Sequence, residues 1–209
     1  MADWARRPVR GFSRFRRVAA PLAAAIALCG CSINLDSLSP APDKTPAPKA
    51  TSEVSVSEAQ THTRQGEALA RARKSQEALA EFDQAIGLDP NNPQALFGRG
   101  LLYQAEQQHQ LAIDDFTAAN GLEPQQSGPL LARAISYLAL NKAKEAAVDL
   151  DEAVQADPQN EQIWVNRGLA YERLGDRTKA ADCYGRAVGI QPADEVARSG
   201  LTRVGGKAG

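Results

Sequence analysis

The chain has 209 residues, with 24 Lys plus Arg against 25 Asp plus Glu and a formal charge of −1 at pH 7. Six of the basic residues (Arg6, Arg7, Arg10, Arg14, Arg16 and Arg17) fall within residues 1–30, where Asp3 is the sole acid, so the remainder carries 18 against 24, about −6. That remainder lacks the basic excess that nucleic-acid phosphates demand, which excludes nucleic acid as the expected partner.

Residues 1–30 read as a signal peptide. The arginines form a basic n-region, and residues 18–28 form an apolar run that is too short to cross a bilayer as a helix, which takes about twenty residues. The run ends in Leu28-Cys29-Gly30-Cys31, which resembles a lipobox, with Gly30 as the small residue before the cut. The resemblance implies cleavage before Cys31 and acylation of that cysteine. Ser32 follows it in place of the aspartate that commonly retains lipoproteins in the inner membrane, so an outer-membrane lipoprotein facing the periplasm is expected. Residues 31–56, with Pro40, Pro42, Pro46 and Pro48 among Ser, Ala, Thr and Lys, are expected to be a disordered tether spanning roughly 25–30 Å as a coil.

Beyond the tether, Pro90, Pro124, Pro158 and Pro192 recur at a 34-residue interval. Eight residues before each stands a bulky side chain, Phe82, Phe116, Leu150 or Tyr184, and four before that an alanine, Ala78, Ala112, Ala146 or Ala180. In the first half of each unit Gly66, Gly100, Ala134 or Gly168 supplies a small residue. Small residues where two helices cross, a bulky one beside them and a proline after the second helix resemble the tetratricopeptide repeat family. The resemblance implies an all-α, right-handed superhelical solenoid of about four helix-turn-helix repeats. Their expected spans are 59–92, 93–126, 127–160 and 161–194, within a domain over 57–204, with a capping helix over 195–204 and a disordered tail over 205–209.

Catalysis needs convergent groups, and the sequence offers few. His62 and His109 lie in different repeats without Cys or carboxylate partners at ligand spacing, so no metal, cofactor or small-molecule substrate is expected. Cys183, the one cysteine beyond the tether, reads as a buried structural thiol without an intramolecular disulfide. Arg99 and Arg133 stand sixteen residues before Asp115 and Asp149, a spacing that fits ion pairs between the helices of one hairpin and equally fits solvated charges. At Arg167 the series breaks, because Cys183 replaces the acid.

Family geometry places the binding surface on the concave side, lined by first helices. It implies an apolar stripe of Phe97, Leu101, Leu131, Ile135, Val165 and Leu169, whereas the first unit offers Thr63 and Glu67 at these places instead. Polar borders come from Gln94, Gln104, Gln162, Asn166, Glu172 and Arg173. Such a stripe suits an amphipathic helix or an extended peptide, although some of it would equally serve to pack adjacent first helices together. The Lys and Asn clamp of co-chaperones of this family is absent, since Thr63, Glu67, Gly98, Gly128 and Ala132 occupy those places. The expected function is a non-enzymatic adaptor of the bacterial cell envelope, similar to the NlpI type, binding envelope proteins or peptide segments and held to the membrane by its lipid. The alternatives are a pilus or secretion-system assembly lipoprotein similar to TadD or pilotins, and a subunit contributing to an envelope hydrolase.

Overall fold

A computed structural model describes residues 49–205, with side chains from Glu53 onward. The described residues form nine α-helices and no strand. In chain order these are α1 (Lys49–Arg71), α2 (Ser75–Leu88), α3 (Pro93–Ala105), α4 (His109–Leu122), α5 (Ser127–Ala139), α6 (Ala143–Ala156), α7 (Glu161–Arg173), α8 (Arg177–Ile190) and α9 (Glu195–Arg203). Cys31, the greater part of the tether and residues 206–209 lie outside the described residues.

Local chemistry sets the helix ends. Each of the first helices is closed by a residue in the left-handed region: Arg73, Gln107, Asn141 and Gly175, at φ 61, 62, 58 and 81°. The next amide turns back five residues, as in Lys74 N–H to Leu69 C=O and Asp176 N–H to Tyr171 C=O, which satisfies carbonyls that the helix end would leave bare. Only the fourth unit uses glycine at this place. Three of the four helices following the proline loops start on side-chain caps, α5 after Gln126 being the exception: Asn92 accepts from Ala95 N–H at 3.0 Å, Asn160 from Gln162 N–H at 3.1 Å, and Asp194 from Val196 and Ala197 N–H at 2.6 and 3.1 Å.

Packing follows the small-and-bulky pattern, and each bulky ring serves two units. Phe82, 1 % exposed, lies against Gly66 of its own hairpin and Gly98 of the next, where an added Cβ would come within 2.9 and 2.4 Å of the ring. Tyr184 repeats this between Gly168 and Gly200, at 2.8 and 2.6 Å. Because Gly200 sits in α9, the capping helix is built as the first helix of a further unit, down to its Asp194 cap in register with Asn160.

Two boundaries differ from the sequence expectation. Helix α1 begins at Lys49, inside the segment read as tether, because residues 49–65 hold neither proline nor glycine to interrupt it. At the other end α9 stops at Arg203, and Val204 serves as its C-cap.

Candidate protein-binding groove

The odd-numbered helices touch one another in succession, α1 to α3 to α5 to α7 to α9, whereas no two even-numbered helices approach each other. The layer of odd helices is therefore the tighter, inner one, and its exposed side is the floor of the groove.

Arginines fasten this layer to the outer one. Arg99 donates from Nε and Nη2 to the two carboxylate oxygens of Asp115, both at 2.8 Å, and from Nη1 to Asp83 at 2.7 Å. Arg133 holds Asp149 in the same bidentate way, both bonds 2.8 Å, and reaches Thr117 at 3.1 Å. Both pairs therefore form, rather than the solvated charges that the spacing equally allowed. Hydrogen bonding to Asp115 and to Asp149 raises these guanidinium pKa values, although burial opposes it. Arg167 breaks the series as expected on one side only. It finds Asp151 on α6 at 2.6 Å and meets the Cys183 sulfur at 3.6 Å. Cys183 is buried, and burial pushes its thiol pKa up. Each arginine thus joins the second helix of its own unit to that of the unit before, sixteen residues away in both directions. The backward contact was not read from the sequence, though Asp83, Thr117 and Asp151 stand at the repeat interval.

The predicted groove residues divide into two sets. Phe97, Leu101 and Gln94 line one cleft between α1 and α3, of about 320 Å³, together with Ala70, Phe82 and Leu102. Leu101 is 41 % exposed there. A second cleft of about 220 Å³ opens on the other side of Phe97, among Pro93, Ala119, Gly128 and Pro129, with Gln94, Glu123 and Gln126 at its edge. The Phe97 ring forms the ridge between them, 5.7 Å from the Phe116 ring and tilted against it. In contrast, Leu131, Val165 and Leu169 pack onto the core and are half-buried, as is Ile135.

Several polar residues expected at the groove are held by neighbours. Thr63 is buried, accepting from Asn92 Nδ2 at 3.0 Å while donating to Ala59 C=O at 2.8 Å. Arg173 Nη1 donates to Leu138 C=O, and Gln104 Nε2 donates to Ala132 C=O and Ser136 Oγ, both at 2.7 Å, so these two side chains tie successive inner helices together. Asn166 donates to Gln162 C=O within α7 at 2.8 Å, and Gln162 is exposed. Glu67 pairs with Arg71 at 3.2 Å, and Glu172 pairs with Arg203 at 2.5 Å. The arrangement offers apolar surface and hydrogen-bonding edges. Among the described residues no cluster of three His, Cys, Asp or Glu side chains is placed to hold a metal ion.

Solved structures with this arrangement are numerous. MamA from Desulfovibrio magneticus, residues 41 to the end, is 20 % identical with a TM-score of 0.66, over 70 % of this chain and 83 % of that one. The OM64 TPR domain of Arabidopsis is 23 % identical, with TM-score 0.53, over 54 % and 93 %. The first TPR of Spaghetti, solved with the HSP90 peptide SRMEEVD, is 24 % identical with TM-score 0.53, over 54 % and 89 %. At these identities the likeness is one of fold. No curated protein matches the sequence. The Tetratricopeptide repeat pattern matches residues 63–127 and again 131–195, most of the chain, and with the paired helices, the glycine-seated rings and the open inner face this places the chain in the tetratricopeptide repeat family.

Proposed function

We propose that this protein is a non-enzymatic scaffold that binds a partner protein through the inner face of its repeats, near Phe97 and Leu101. The observation that carries the reading is the pair of open clefts flanking Phe97, because large apolar side chains left at the surface beside one another are the usual seat of interface energy. The peptide bound by the first TPR of Spaghetti is an example of such use in a neighbour of the same fold. The setting we propose is the bacterial cell envelope, with the chain held at the outer membrane, facing the periplasm, through a lipid on Cys31. The Leu28-Cys29-Gly30-Cys31 sequence supports this, and among the described residues no helix is long and apolar enough to cross a membrane.

Two measurements test the proposal. Replacing Phe97 and Leu101 by serine in the full chain should weaken a partner recovered from membranes by about 2 kcal/mol or more, the scale of interface hot spots, with helicity unchanged by circular dichroism. Retention of every partner by the folded double variant would remove the site from the inner face. Cys31→Ser should abolish both palmitate labelling and sedimentation with membranes, and unchanged labelling would refute the anchor.

A further inference from the structure

We infer that the cleft between Phe97 and Pro129 receives a lysine or arginine side chain of the bound partner segment, its apolar stem against the Phe97 ring and its cation on Glu123; this rests on the inner face being the binding site.

The inference starts from a loop that departs from the repeat. The residue before the loop proline is Asp89 in the first unit and Asp157 in the third, and each folds its carboxylate back onto its own loop, Asp89 onto Asn91 N–H at 3.0 Å and Asp157 onto Gln159 N–H at 3.3 Å. The second unit has Glu123 there, and its loop turns differently, with Gln125 at φ 65°. One methylene longer, the Glu123 carboxylate reaches across to the start of α3. Among the described residues it meets Gln94 Nε2 there, at a long 3.4 Å, and no cation.

This unmatched charge stands at the edge of an apolar recess. The cleft is walled by the Phe97 ring, Pro93, Pro129 and Ala119, and Glu123 is the one charged residue that lines it. Helix α4 ends at the cleft and α5 begins at it, so their end charges oppose each other and Glu123 sets the sign. A second departure keeps the recess open. Where α3 and α7 carry Gln94 and Gln162 as their second residue, α5 carries Gly128, and a Cβ there would already stand 3.5 Å from the Phe97 ring. A glutamine at this place would cover the ring edge.

Shape and charge together select the occupant. At about 220 Å³ the cleft falls below the ~300–1,000 Å³ of small-molecule sites, so it suits one side chain. An apolar side chain would fill the recess and leave Glu123 unmatched beside it, and an acidic one would be repelled. Lysine and arginine satisfy both parts of the cleft, because their long stems cover apolar surface while the cation stays at the rim, drawn to the carboxylate and to the ring face.

The test uses the full chain, immobilised, against a phage-displayed library of random dodecapeptides. The expected result is enrichment of peptides with a Lys or Arg beside apolar residues. Synthetic copies should bind about three- to tenfold more weakly when that residue is replaced by norleucine or citrulline, the scale of an exposed ion pair with a ring contact. Glu123→Gln should cause the same loss, and on this variant the norleucine or citrulline peptide should lose nothing further, the coupling that a direct contact requires. Gly128→Gln should weaken the unaltered peptides about tenfold by filling the recess. Because Pro129 disfavours a helical residue with a Cβ before it, circular dichroism checks that variant, and Phe97→Leu, which keeps an apolar side chain without a ring, gives a second reading of the same cleft. Enriched peptides that lack a basic residue, or whose basic residue costs as much to replace on Glu123→Gln as on the wild type, would overturn this inference, and their sensitivity to Gly128→Gln or Phe97→Leu would keep the groove as the site. No enrichment, or binding indifferent to Gly128→Gln and Phe97→Leu, would overturn the groove reading with it. Self-association of the chain that is lost in Gly128→Gln would make the occupant a second copy and overturn the proposed partner.

Discussion

Arg133 and Asp149 meet side-on across α5 and α6, with two parallel hydrogen bonds of 2.8 Å and only 7 % of the aspartate side chain exposed. A bidentate pair so enclosed costs far more to halve than to keep, because the surviving guanidinium stays buried without its carboxylate. Asp149→Ala is expected to lower stability by about 3–5 kcal/mol. Asp151→Ala, which removes a partner that is 45 % exposed, should cost about 1 kcal/mol or less. Chemical denaturation of the two variants measures the difference, and equal losses would show that burial does not set the strength of these pairs.

The glycines separate into two kinds, which gives a paired prediction. At Gly100 a Cβ would lie 2.6 Å from the Phe116 ring, whereas at Gly121 it would meet nothing within 4 Å. Gly100→Ala should destabilise by about 1–3 kcal/mol through overpacking. Gly121→Ala, in the last turn of α4, should stabilise by about 0.4–1 kcal/mol through the smaller entropy of the unfolded chain. Thermal midpoints shifting in the same direction would contradict the packing described.

Gln107 closes α3 at φ 62°, a conformation that costs an L-residue about 1–2 kcal/mol relative to the right-handed helix. Gln107→Gly relieves that strain against a glycine entropy cost of about 0.5–1 kcal/mol, so a net gain of a few tenths to about 1 kcal/mol is expected. A lowered denaturation midpoint would mean that the glutamine side chain contributes something the turn geometry does not reveal.

A pH dependence is expected at the C-terminal cap. A hydrogen bond to Asp194 pushes the Glu161 carboxyl up to about 7 from its ordinary 4.5, and Asp194 is held below the usual carboxylate range by the same bond and by the Ala197 amide. Glu161 binds its proton more tightly folded than unfolded, so the stabilisation is complete below pH 4.5 and is lost as pH rises through about 7. Amide exchange across α9 should accelerate over that window, and Glu161→Gln, which keeps a donor toward Asp194, should flatten the dependence. A wild-type α9 whose protection relative to the remaining helices does not change with pH would refute the linkage.

How far the sequence spoke depended on whether a feature obeyed the repeat interval within one unit. The bulky side chains at 82, 116, 150 and 184 and their alanines were legible because each belongs to a single hairpin; the spacing of Arg99 from Asp115 and of Arg133 from Asp149 was legible too, but not whether the pairs form. Contacts that cross into a neighbouring unit were not. Arg167 reaching back to Asp151, Asn92 drawing Thr63 out of the groove, and Arg173 and Gln104 bonding to α5 all depend on how successive units rotate against each other. The clefts beside Phe97 were hidden for a different reason, since one of them is opened by the side chain that Gly128 lacks. The early start of α1 escaped notice because prolines up to Pro48 dominate the composition of the segment, although the residues after Pro48 permit a helix.

The outer helices do not approach one another, and Arg99, Arg133 and Arg167 each reach across the seam between two of them. The solenoid is therefore built like a leaf spring, with a continuous inner leaf and an outer side able to open and close. Its stiffness should be graded along the stack: two carboxylates flank the guanidinium at the first seam, a hydroxyl and a carboxylate at the second, and a carboxylate and a thiol at the third. Ionic strength would act most on the first seam, where the partly exposed Asp83 completes the bridge, so the curvature around Phe97 is the part of the molecule most responsive to salt.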